Sequence, residues 1–299
     1  MTEKPKPARY ASWTQGKLPL PELSEMKRRD DKIVMVTAYD APSARLADEA
    51  GIDLVLVGDS AGMVVQGRES TVPVTLDEIV LMTQWVARGA KRSIVVADMP
   101  FGSYETSDED AVRSAVRLVK EGGADVVKLE GAGAMVSRAR AIAQAGIGVM
   151  GHVGLTPQSA TVLGGFKAQG RNAERARELV EEAVALEAAG CFSVVLEAVP
   201  AAVASAVTRR LAIPAIGIGA GAGCDGQVLV WHDMLGYCQG RSPRFVKRYA
   251  DLGAVITEAL GRYAEDVRSG SFPEEQHTYA MPEEELAEFE AALADVEAR

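Results

Sequence analysis

The segment VVKLEGAG, residues 126–133, ends an apolar run in two charges, Lys128 and Glu130, directly before glycine. Alternate residues of a strand share a face, so these two side chains point to the same side, and in a strand this apolar that side is buried. A buried pair of opposite charges at a strand end calls for a reason. Seven further apolar runs stand in the same chain: KIVMVTAYD (32–40), DLVLVGDS (53–60), SIVVADMPF (93–101), GVMGHVG (148–154), SVVLEAVP (193–200), PAIGIGAG (214–221) and QVLVWHD (227–233).

Helix-like segments separate the runs. TLDEIVLMTQWVARGA opens on a capping box, Thr75 with Glu78, and SDEDAVRSAVRLVKEGGA opens on Ser107 followed by acidic residues that suit a helix N-terminus. Both finish at glycines, a common way for a helix to stop. Strands that alternate with helices form parallel sheets with right-handed crossovers. Eight such units account for nearly the whole chain, which favours a closed (β/α)8 TIM barrel over an open doubly wound sheet. The barrel is expected over residues 31–270. Residues 1–30 are expected to be an extension outside it, and the acidic tail 271–299 is read as a helix in PEEELAEFEAALADVEAR. Residues 155–176, between the fifth and sixth runs, are rich in glycine and polar groups and read as a loop over the site.

The 299 residues carry a net charge of −10 with 47% hydrophobic and 25% charged residues, a globular composition that argues against nucleic acid or an anionic membrane as partner. Three cysteines, Cys191, Cys224 and Cys238, show neither disulfide nor zinc spacing. The N-terminal MTEKPKPARYASW has no apolar core of a signal peptide, and no run is long enough for a membrane span, so a cytoplasmic protein is expected.

In barrels of this kind chemistry sits at the C-terminal ends of the strands. Three consecutive runs end in carboxylates there: Asp59, Asp98 and Glu130. By alternation Val55, Val57 and Asp59 are expected on one face, as are Ile94, Val96 and Asp98, and Val126, Lys128 and Glu130. Three carboxylates converging in a low dielectric repel one another unless a cation intervenes, and an all-oxygen set without cysteine or histidine spacing selects Mg²⁺ or Mn²⁺. The alternative is that they cap helices or pair with arginines. Lys128 can meet a substrate oxygen, simply neutralise Glu130, or form a Schiff base. Glu197, in line with Val195 and Val199, is a carboxylate apart from that group and the candidate general base. His152 can be ligand, proton carrier or core hydrogen-bonder.

The motifs TAYDAPSA, LVGDSAGMVVQG, TVPVTLDEI, ADMPFGSY, VKLEG, GHVGLTPQS, LEAVP and IPAIGIGAGAGCDGQVLVWHDMLG, in this order, closely resemble the ketopantoate hydroxymethyltransferase family, over about residues 32–277. The resemblance implies a (β/α)8 barrel of the phosphoenolpyruvate mutase and isocitrate lyase kind. It implies transfer of a hydroxymethyl group from methylenetetrahydrofolate, a cosubstrate, to 3-methyl-2-oxobutanoate, giving 2-dehydropantoate on the way to pantothenate. It further implies that Asp59, Asp98 and Glu130 surround Mg²⁺, that Asp59, Ser60, Asp98 and Lys128 make up the oxo-acid site, that Glu197 accepts the proton, and that the subunits form a homo-oligomer, a decamer. His152 lies in a family motif with its role open. Two rival activities are a sister lyase or mutase, which commonly carries a catalytic loop cysteine that has no counterpart motif here, and a barrel that binds without turnover.

Overall fold

The computed structural model describes residues 16–238 and 243–297. It begins with helix α1 (Leu20–Arg28), followed by β1 (Ile33–Thr37), α2 (Ala41–Glu49), β2 (Leu54–Val57), α3 (Ala61–Val64), α4 (Leu76–Gly89) and β3 (Ile94–Asp98). Then come α5 (Asp108–Lys120), β4 (Val126–Glu130), α6 (Met135–Gln144), β5 (Gly148–Gly154), α7 (Ala173–Ala188), β6 (Ser193–Glu197), α8 (Ala201–Arg210), β7 (Ala215–Ile218), β8 (Gly226–Leu229) and α9 (Trp231–Met234). The strands pair in sequence order, all parallel, and β8 returns to β1 to close an eight-stranded barrel, as expected.

Two apolar layers follow from the alternation. Ile33, Leu54, Ile94, Val126, Met150, Val195, Ile216 and Val228 fill the interior, one from each strand. The intervening residues, among them Val55, Val57, Val127 and Val194, face the surrounding helices. The expected phase therefore holds on β3 and β4 and fails on β2. There Leu54 and Leu56 point inward and Val55 and Val57 outward. Asp59 still reaches the mouth because the strand stops at Val57 and the chain turns at Gly58, so Asp59 no longer obeys the strand's period. On β6, Val195 is interior, whereas Val199 lies past the strand end and packs with the outer layer.

Local signals act as read. Thr75 and Glu78 form the reciprocal capping box of α4, and Ser107 accepts from the Asp110 N–H to start α5. Gly89 serves a different purpose from the expected stop: a Cβ there would lie 2.3 Å from the Ala41 carbonyl oxygen, so glycine permits the close approach of α2 and α4. The loop after β5 is shorter than read, since Asn172 already caps α7.

The domain boundaries differ from expectation at both ends. Leu18, Leu23 and Met26 are buried against the interior residues at the N-terminal ends of the strands, so α1 closes the base of the barrel rather than lying outside it. The Lys27 ammonium fixes this plug by bonding to the carbonyls of Thr208 and Ile213 and to Asp225, each at 2.9 Å. The first compact unit runs to Ala250 and the second spans Asp251–Arg299, so the barrel unit ends before the expected residue 270. The second unit holds α10 (Leu252–Ser269) and α11 (Glu283–Glu297), the latter within the tail read as helical. Among the described residues no helix is long and apolar enough to cross a membrane.

Candidate active site

The register of the parallel strands dictates which charges meet. Asp98 on β3 is the Cα partner of Lys128 on β4, and Glu130 on β4 is the partner of His152 on β5. Partners on adjacent strands stand about 4.8 Å apart, against roughly 6.6 Å for alternate residues of one strand. Lys128 accordingly bonds to Asp98 and keeps Glu130 at 3.9 Å. Of the readings of Lys128, the pairing with Glu130 is thus the weaker contact.

His152 is the centre of a second group. Its Nδ1 lies 3.2 Å from Glu130 Oε1, and its Nε2 lies 3.3 Å from Glu197 Oε2, close enough for ion pairing but not aligned for a hydrogen bond. Burial alone would lower its pKa. The carboxylates of Glu130 and Glu197 outweigh burial and push it up to about 9, so the imidazole carries charge at neutral pH. Glu130 resists the effect of burial through His152, Lys128 and the Gln158 N–H, and stays below the usual range. Lys128 is likewise raised, because Asp98, Glu130 and Asp59 outweigh its burial. Asp59 goes the other way: burial, then the charges of Asp98 and Glu130, hold its carboxyl well above the ordinary carboxylate range.

The backbone holds this arrangement. Asp59 N–H donates to Asp98 Oδ2 at 3.0 Å, and the Ser60 hydroxyl lies 2.9 Å from the Tyr39 hydroxyl. Glu197 ends β6, and the next residue, Ala198, adopts the left-handed conformation (φ 49°), a strained turn of the type that collects at functional sites. The Glu197 carbonyl accepts from Leu155 N–H, which joins β6 to the loop after β5.

All seven residues singled out in the sequence stand at the C-terminal end of the barrel, on β2 to β6 or the turns that follow them. Two buried residues were missed. Gln158 donates from Nε2 to Asp59 Oδ2 at 2.9 Å and to the Met99 carbonyl at 3.0 Å, and Tyr104 OH donates to Gln158 Oε1 at 2.6 Å. Both lie in loops, where no periodicity marks an inward side chain. Their presence in the motifs ADMPFGSY and GHVGLTPQS was the available signal.

Charge balance describes what the site can hold. Among the described residues Asp59, Asp98, Glu130 and Glu197 face Lys128 and His152 as cations, and burial, then the charges of Asp98 and Glu130, raises Asp59. Oxygen donors with a deficit of positive charge suit a hard divalent ion. Among the described residues no three His, Cys, Asp or Glu side chains are disposed so as to hold one metal ion as they stand. Both oxygens of Glu130 are engaged, by His152 and by the Gln158 N–H, and both oxygens of Asp98 are engaged, by Lys128 and by the Asp59 N–H. One or two carboxylates completed by water and substrate oxygens is the usual way of holding Mg²⁺.

The sequence model of the ketopantoate hydroxymethyltransferase family matches residues 17–275. The chain belongs to this family. Like the other members it is an enzyme. It is 56% identical to the 3-methyl-2-oxobutanoate hydroxymethyltransferase of Nitratidesulfovibrio vulgaris, over 93% of this chain and 91% of that one. It is 54% identical to the enzyme of the same name from Moorella thermoacetica, over 89% and 98% of the two chains. Among solved structures, phosphonopyruvate hydrolase covers 94% of this chain and 98% of its own with a TM-score of 0.58 at 13% identity. A 2,3-dimethylmalate lyase of the PEP mutase/isocitrate lyase superfamily has the same coverage, a TM-score of 0.56 and 18% identity. These two show a shared fold, the barrel kind expected from the sequence. The family match begins at residue 17, just before the helix that plugs the barrel, in keeping with α1 as part of the catalytic body.

Proposed function

We propose that the chain transfers a hydroxymethyl group from methylenetetrahydrofolate to 3-methyl-2-oxobutanoate, yielding 2-dehydropantoate and tetrahydrofolate, with Mg²⁺ held by Asp59 and Asp98 and with Glu197 as the base. The observation that carries it is the division of the mouth into two carboxylate groups. Asp59, Asp98 and Glu130 gather on β2 to β4, and Glu197 stands apart on β6 beyond His152. A carboxylate engaged by an ion is a poor proton acceptor, so enolisation needs a separate one.

The branched carbon of the oxo acid must lose its proton, and charge then develops on the keto oxygen. An ion held by Asp59 and Asp98 would supply a Lewis acid to stabilise that charge. Glu197 takes the proton, oriented by His152 at 3.3 Å. Lys128, anchored on Asp98, places a fixed positive charge at the same end of the barrel, where it favours developing negative charge without reorganisation. The enolate carbon then attacks the one-carbon unit of the folate, and water completes the hydroxymethyl group as tetrahydrofolate leaves.

The half-reaction isolates the base. Glu197→Gln keeps the size of the side chain but cannot accept a proton, so exchange of the branched-carbon proton of the oxo acid with deuterated water, followed by NMR without folate, should fall by roughly 10² to 10⁴-fold. Exchange at the wild-type rate would move the base elsewhere. Formation of 2-dehydropantoate by the wild type, lost in EDTA and restored by Mg²⁺, tests the overall reaction; a rate indifferent to EDTA contradicts the role given to the ion.

A further inference from the structure

Asp59, Asp98 and Glu130 present six carboxylate oxygens, and among the described residues five of them have a hydrogen-bonding partner. Lys128 and the Asp59 N–H engage Asp98, and His152 engages one oxygen of Glu130. The other two bonds both come from Gln158. Its backbone N–H donates to Glu130 Oε2 at 3.0 Å, and its side-chain amide donates to Asp59 Oδ2 at 2.9 Å. Asp59 Oδ1 is the oxygen left over.

The amide of Gln158 has only one workable orientation. The Met99 carbonyl can only accept, so the NH₂ group must face it, and the same group then reaches Asp59. The Tyr104 hydroxyl donates to the amide oxygen at 2.6 Å, and the flipped alternative would set that oxygen against two acceptors, the Met99 carbonyl and Asp59 Oδ2. With 6% of its surface exposed, Gln158 makes these bonds away from water. A neutral amide satisfies Asp59 Oδ2 without adding a charge. A lysine there would neutralise Asp59 and compete with a cation, and a glutamate would set a further negative charge beside it. Gln158 also sits in the short 3-10 turn Pro157–Ser159, so one residue of the loop after β5 grips the end of β2 and the end of β4.

We propose that Gln158 is the positioning residue of the ion site: it fixes the Asp59 carboxylate with Oδ1 as the open ligand oxygen, and Tyr104 fixes Gln158. This rests on the reading of Asp59 as a metal ligand. Outer partners that orient a ligand typically contribute about 10 to 100-fold in metal affinity.

The test uses Mn²⁺ alone as the probe, with free Mn²⁺ counted from its EPR signal and no substrate or turnover involved. Gln158→Met preserves length and volume but lacks the donor. In a variant shown by circular dichroism to be folded at the assay temperature, Mn²⁺ affinity should fall about 10 to 100-fold. Tyr104→Phe, which removes only the hydroxyl that orients the amide, should fall in the same direction by a smaller factor. A folded Gln158→Met that binds Mn²⁺ as the wild type does overturns the proposal and leaves Gln158 with a packing role. Should Gln158→Met fail to fold, Tyr104→Phe decides, and wild-type affinity in that variant overturns the proposal. A wild-type protein that binds no Mn²⁺ refutes the metal reading beneath it, a result distinguishable from the others because no variant is involved.

Discussion

Lys128→Met is the sharpest probe of the charge arrangement. Lys128 is 4% exposed, and its ammonium is the cation bonded to Asp98, which is itself 2% exposed. Methionine matches the volume of the lysine stem, so the change opens no large cavity, and its cost is electrostatic. It leaves Asp98 Oδ1 without a donor and removes one of the two positive charges facing four carboxylates. Removing one member of a buried pair costs about 3–5 kcal/mol, well above the cost for a surface pair. For a barrel of this size each kcal/mol shifts Tm by about 2–4 °C, so the expected loss is roughly 6–20 °C. The assay is thermal and urea unfolding in EDTA, followed by circular dichroism, so that no divalent ion substitutes for the lost charge. The double variant Asp98→Asn, Lys128→Met should recover a substantial part of the loss, because two groups in contact are not additive. A Lys128→Met protein within about 1 kcal/mol of the wild type would refute the reasoning, since the ammonium would then not be what offsets the buried carboxylates.

Two further outcomes are expected. Asp59→Ala and Asp98→Ala should each lose measurable Mg²⁺ binding by titration calorimetry while remaining folded; unchanged affinity in both would remove the metal site from this end of the barrel. Leu23→Ala, at 1% exposure in the plug helix, should cost about 2–5 kcal/mol in urea unfolding, and a loss below about 0.5 kcal/mol would show that α1 does not share the barrel core.

Local chemistry made much of this legible. The eight strands show as apolar runs, and the capping box at Thr75 and Glu78 works through bonds made within one turn. On β3 and β4 the period of two carries Asp98, Lys128 and Glu130 inward, because each of these strands extends to its charged residues. Glu197 and His152 are placed by the same rule on β6 and β5. For these residues the sequence by itself determined the end of the barrel they occupy.

The partners of those residues were decided only by the closed barrel. Lys128 and Glu130 are neighbours in sequence, yet two residues along a strand are farther apart than register partners on adjacent strands, so Lys128 bonds to Asp98 and Glu130 turns to His152. Asp59 enters the site through a turn after a strand whose valines face outward, where no period applies. Gln158 and Tyr104 come from loops, and their inward aim depends on bonds to Asp59, Met99 and Glu130 that span 26 to 99 positions of the chain. The plug helix shows the same dependence. An amphipathic turn such as α1 is buried because the open base of a barrel presents Ile33, Leu54 and Val228 to it, and that apolar surface exists only once β8 has paired with β1.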